Sequence, residues 1–249
     1  MKYFIFLITA LYFTSCVTEP RLDENILSEY LELNDSLEIA DLVACAGGKV
    51  DGLLGGSLEP TDVFFYPIEG ATDFRYFETE GVADSTDFSK YIAKDLDNEP
   101  IFNGYLWKFN NTPFTGERTG IVTYRTPGNL HICQFIRLKT NIKPTERDNS
   151  LGEVIENGVT PSFTWQDGEI NENVIYFQVI SDKDGNFISG TYTIEKEFTF
   201  YDLSNVVFNI TNPSFEPVLE PGMEYDFTLM GVSEDNWVNL LIEKSFSTN

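Results

Sequence analysis

The stretch "LEPGMEYDFTLMGV", residues 219–232, decides the architecture. Pro221-Gly222 is a turn signal, because proline presets φ near −65° and glycine accepts the positive φ that a tight turn demands. Beyond it, Tyr225, Phe227, Leu229 and Gly231 alternate with Asp226 and Thr228, the period-two pattern of a strand with one face buried. Tyr225 opens that strand, where its hydroxyl can hydrogen-bond the backbone of the preceding corner.

Outward from this strand the pattern repeats. "SFTW" (162–165), "VIYFQVIS" (174–181), "NFISGTYT" (186–193), "EFTFYDL" (197–203), "VVFNIT" (206–211) and "VNLLIEKSF" (238–246) are short runs rich in β-branched and aromatic residues, separated by turns, with no convincing long helix. This is the signature of an antiparallel β-sandwich. The motif Leu219, Pro221, Gly222 and Tyr225, with Trp165 as core tryptophan on the second strand, resembles the fibronectin type III family over about residues 159–249. The segment from Glu195 to Val218 is longer than that resemblance implies, so an extra hairpin is expected there. "SDKDGNF" (181–187) has too few spaced acids for a calcium loop and reads as a hairpin turn.

Residues 37–143 carry a second strand series: "DVFFYPI" (62–68), "DFRYFET" (73–79), "FNGYLWKF" (102–109), "GIVTYRT" (120–126) and "LHICQFIRLKT" (130–140). The charged run "STDFSKYIAKDLD" (85–97) interrupts them and has room for a helical turn. Strand pattern and analogy with its neighbour assign this half to an immunoglobulin-like sandwich. "NIKPTERDNSLGE" (141–153), with proline, glycine and charge, marks the boundary, so residues 144–158 are expected as linker. The fold expected is all-β, two tandem immunoglobulin-like or fibronectin type III-like sandwiches.

The N-terminus is of another kind. Lys2, an apolar run from Tyr3 to Phe13 and the small pair Thr14-Ser15 form a secretory signal, too short for a bilayer of about 30 Å, which takes about 20 helical residues. "FTSC" (13–16) resembles a bacterial lipobox, with Phe13 where that family has leucine. The resemblance implies removal of residues 1–15, diacylation of Cys16 (palmitate being a typical acyl group) and, since no aspartate follows Cys16, residence in a Gram-negative outer membrane. An ordinary signal peptide with a chance cysteine is the alternative. Residues 16–36 are expected as the tether, although Leu22, Ile26 and Tyr30 have helical spacing.

The 249 residues carry 40 acidic and 16 basic side chains, a formal charge of −24, which repels phosphate backbones and argues against nucleic acid. Hydrophobic content of 42% with 14% aromatics provides for packed cores. His131 and Cys133 are two positions apart, yet the ligand count of a zinc site and the elbow of a serine hydrolase are missing, so both read as structural. The glycine-rich "AGGKVDGLLGG" (46–56) lacks a phosphate-loop ending. Cys45 and Cys133 either form a disulfide, worth roughly 4 kcal/mol for a loop of about 90 residues, or remain thiols. Strand alternation places Cys133 opposite Leu130, Ile132, Ile136 and Leu138 unless a bulge near Gln134 resets it. Of Trp107, Trp165 and Trp237, Trp165 reads as core, and the last, beside a sandwich-end loop, reads first as packing against the sandwich end, with ligand stacking as its alternative and the best of the three for that role.

These features predict a non-catalytic, lipid-anchored envelope protein without metal or cofactor, presenting its sandwiches to a protein or glycan. A glycan-binding accessory subunit or carbohydrate-active enzyme, and a structural spacer, are the other classes the sequence leaves open.

Overall fold

The computed structural model describes residues 22–48, 61–82, 84–110, 116–212, 214 and 216–249. The signal, Cys16 and most of the glycine-rich 46–56 loop lie outside them. In the first half, helix α1 (Leu27–Leu33) precedes β1 (Glu38–Leu42), β2 (Ala44–Gly48), β3 (Thr61–Phe65), β4 (Thr72–Glu78), β5 (Ile92–Lys94), β6 (Asn98–Ile101), β7 (Leu106–Asn110), β8 (Arg118–Thr126), β9 (Asn129–Cys133) and β10 (Ile136–Leu138). The second half holds β11 (Glu146–Arg147), β12 (Gly152–Ile155), β13 (Ser162–Trp165), β14 (Asn173–Asp182), β15 (Phe187–Thr193), β16 (Glu197–Thr199), β17 (Val206–Asn209), β18 (Glu224–Ser233) and β19 (Val238–Ser247).

Each half is a two-sheet sandwich. The first sets β1-β9-β8-β4-β5, with β10 also paired to β8, against β2-β3-β7-β6. The second sets β11-β19-β18-β14-β15-β17 against β12-β13-β16. The halves repeat one scheme: a short opening strand lies parallel to a strand near the end of its half (β1 on β9, β11 on β19), then the chain crosses to the other sheet and pairs antiparallel (β2 on β3, β12 on β13). The fold is all-β, with immunoglobulin-like sandwiches in both halves. The long 195–218 segment supplies β16 to one sheet and β17 to the other, so the extra length crosses between sheets instead of forming a hairpin.

The expected corner is present. Glu220 N donates to the Tyr225 hydroxyl at 2.8 Å, Gly222 takes φ +76°, and Leu219 is buried. Tyr225, Phe227 and Leu229 enter a core with Trp165, Phe163 and Tyr176, and Phe163 stacks on Phe227 at 4.2 Å. Thr228, Met230 and Val232, on the opposite face, are buried as well, because that face meets the other half.

Two expected linkers are structured. Within 16–36, α1 buries Leu27 and Tyr30 against the outer face of the first sheet, where Tyr30 meets Phe77 at 5.5 Å and Arg75 lies over the Tyr30 ring. A seven-residue helix is marginal alone; this packing sustains it. Within 144–158, β11 and β12 are the crossing strands of the second sandwich, so the breaker residues there mark a change of sheet and not a tether. The charged 85–97 run holds a single 3-10 turn, Phe88–Lys90, followed by β5.

Residues 129–138 contain the bulge. Thr123 faces Ile132 but Gly120 faces Ile136, a one-residue shift across Gln134-Phe135. Leu130, Cys133, Ile136 and Leu138 are all buried, since one face of this sheet meets β2-β3-β7-β6 and the other meets α1.

Candidate functional site

The two sandwiches share a buried seam. On β3 and β7, Val63, Phe65 and Phe109 point into the first sandwich while Phe64 and Leu106 point the other way, joining Phe177, Val179, Met230, Val232 and Leu241 of the second. A strand apolar on both faces belongs to a sheet covered on both sides, and the layers stack as helix and four sheets.

The turn between β18 and β19 locks the seam. Asn236, at φ +60°, presents its carbonyl to Ala46 N at 3.0 Å and its side-chain amide to the Phe135 carbonyl at 3.0 Å. Arg137 N donates to the Asp235 carbonyl, and Lys139 pairs with the Asp235 carboxylate at 2.6 Å. Thr145 receives Gly48 N and donates to the Val238 carbonyl, tying β2 to β19. Trp237 is 0% exposed inside the core of the first sandwich, its Nε1 donating to the Lys143 carbonyl at 2.8 Å. The ligand stacking weighed for Trp237 is therefore corrected in favour of packing: its indole is a wedge between the halves, inaccessible to a sugar. Trp165 is core, while Trp107 is half-buried against Phe74 at 5.0 Å.

Cys45 and Cys133 are free thiols. Ala44 and Ala46 face the first sandwich's core, so the intervening Cys45 faces the seam, whereas Cys133 lies inside that core with its Sγ accepting Val122 N at 3.1 Å. The sheet stands between them, which is why the bridge weighed from sequence is not formed. Burial pushes both thiols up to about 12. His131 is structural: its ring stacks on Tyr124 at 4.5 Å, Nε2 meets the Thr126 hydroxyl at 3.0 Å, and Nδ1 faces the Asp41 carbonyl at 3.4 Å. In the 181–187 turn, Gly185 takes φ +81° and Asp182 spends its carboxylate on Asp184 N, Asn186 N and the Asn186 amide.

The seam also holds a buried ion pair and a cavity. Lys108 lies 3.5 Å from Asp62 and 3.0 Å from Glu99, and burial raises the Asp62 carboxyl to about 6 despite the lysine. The cavity, about 230 Å³, lies between the sandwiches and is lined by Cys45, Phe64, Tyr66, Phe177, Tyr192 and Phe208 among others. Sequence reading passed over these residues, although "VIYFQVIS" and "DVFFYPI", apolar at both alternating sets of positions, carried the signal of a doubly covered sheet.

A last feature is an edge. Among the described residues, the other terminal strands carry charge or proline (Glu38, Lys94, Pro100, Glu146, Glu153, Glu197) or, like β2, are closed by the second half. β17, "VVFN", carries neither, and exposes Val207 (53%) and Phe208 (43%).

No protein-family model matches the chain, and no curated protein matches it. Among solved structures it is similar to a crystal structure of domains from titin, at 10% identity and a TM-score of 0.28, over 83% of this chain and 67% of that one. The fold class follows from the strand order above.

Proposed function

We propose that this chain is a non-catalytic, lipid-tethered envelope protein that recognises a protein partner by strand addition at β17. The supporting observation is the uncharged, proline-free β17 edge with Val207 and Phe208 exposed, because an open edge offers its unpaired backbone groups to an extended peptide and the apolar side chains set register. The seam suits such recognition, since it makes two sandwiches one stiff presenter at the end of a tether. The tether itself rests on the lipobox resemblance at Cys16. A sugar-binding reading has lost Trp237, its best residue.

Two experiments test the proposal. Metabolic labelling with an alkynyl palmitate is expected to mark the protein in the outer-membrane fraction, and Cys16→Ser to abolish the mark; a labelled Cys16→Ser chain, or an unlabelled and freely soluble native one, overturns the anchor. A photo-cross-linking residue at position 207 in intact cells is expected to trap one discrete protein adduct that the same residue at exposed position 155, on β12, does not; equal adducts from both, or none from 207, overturn the edge.

A further inference from the structure

We propose that the cavity between the two sandwiches is a binding site for an uncharged aromatic molecule of one or two rings. The inference goes beyond the β17 edge, with which the cavity shares one residue, Phe208; the melting shift that tests it is unaffected by whether a peptide adds to that edge. A dry apolar cavity of about 150 Å³ already takes a benzene ring, and this one measures about 230 Å³. That leaves room for a ring the size of indole. Aliphatic side chains such as Leu106 and Ile175 share its lining with five aromatic ones, Phe64, Tyr66, Phe177, Tyr192 and Phe208, and rings in that number favour a π-system over an alkyl chain of the same volume through stacked or edge-to-face contact.

Charge decides the rest of the ligand's chemistry. None of the lining residues is Asp, Glu, Lys, Arg or His. Burial holds Cys45 as the thiol and Tyr192 as the phenol, so the wall is neutral throughout the physiological range. A carboxylate or ammonium entering here would shed its hydration and meet no counter-charge, so charged ligands are excluded. The Tyr66 and Tyr192 side chains and the Cys45 thiol provide a few polar atoms that can orient one hydroxyl or ring N–H. The site draws on both halves: Cys45, Phe64 and Tyr66 come from the first, Phe177, Tyr192 and Phe208 from the second. A bound ring therefore reinforces the seam.

The test uses the full chain carrying Cys16→Ser, which keeps lipid and detergent out of the preparation. Indole and toluene, at about 100 times their dissociation constants, are expected to raise the melting temperature by about 5–10 °C, while hexanol and benzoate at equal concentration leave it within about 2 °C of the ligand-free value, less than the smallest shift expected of indole. Cys45→Phe, which puts a ring into the cavity, is expected to abolish the indole shift. Should that variant not fold, alkylation decides: indole is expected to slow modification of Cys45 by N-ethylmaleimide at least about fivefold, a binding equilibrium's protection at several times the dissociation constant. The proposal is overturned by no shift at saturation, by hexanol matching indole, by an indole shift that survives Cys45→Phe, or by a Cys45 rate that indole leaves unchanged.

Discussion

Replacing Trp237 by alanine tests the seam at its wedge. The indole is fully buried in a core that otherwise belongs to the first sandwich, while its backbone belongs to the second. Removing a buried tryptophan costs about 3–5 kcal/mol in transfer and cavity terms. The Lys143 carbonyl, which accepts Nε1 at 2.8 Å, would lose its partner, adding about 1 kcal/mol or more if water does not replace it. A loss of about 4–6 kcal/mol is thus expected, against typical total stabilities of about 5–15 kcal/mol. Urea unfolding followed by far-ultraviolet circular dichroism measures it, with melting expected to fall by about 8–24 °C at this chain length. Trp237→Phe, which keeps most of the volume, is expected to lose about half as much. A Trp237→Ala chain within 1 kcal/mol of the parent, on the scale of an exposed side chain, would refute the reasoning, because a surface indole serving a ligand leaves stability untouched.

Other perturbations follow from the same geometry. Tyr225→Phe removes the acceptor of Glu220 N and is expected to cost about 1–1.5 kcal/mol in urea unfolding, with Tyr201→Phe, whose hydroxyl accepts from the part-buried Asn209 side chain, costing less. The Asp62 carboxyl, raised to about 6, holds a proton in the folded chain that the unfolded chain has already released above the ordinary value of 3.8. Its contribution to stability is therefore complete below about pH 4 and is lost as pH rises through about 6, by up to about 3 kcal/mol. In Asp62→Asn that decline is expected to be absent, so the stability difference between parent and variant should change between pH 4 and 7; a constant difference would refute the buried placement.

Most of the fold was legible because strand pairing on one buried face leaves a strong trace. Tyr225, Phe227 and Leu229 alternate inward as their spacing demands, and Pro221-Gly222 announces its corner. The traces that failed were those whose meaning depends on distant chain. The helix at Leu27 is too short to declare itself and exists because Phe77 and Arg75 await it. Residues 144–158 have a linker's composition, but Glu146-Arg147 needs only two residues to lie along β19. Cys45 and Cys133 are compatible with a bridge until the sheet between them is known. Trp237 lies in what pattern alone calls a loop tip, and only the neighbouring sandwich makes it interior. The seam was half-written: Phe64 and Phe177 break the alternation expected of solvent-facing strands, a signal that both faces are covered without saying by what.

Calorimetric unfolding of the full chain is the direct trial of the shared seam. Two sandwiches joined by a common buried layer and a wedged tryptophan are expected to melt together, in one endotherm whose calorimetric and van't Hoff enthalpies agree. Two separable endotherms, one for each half, would contradict it.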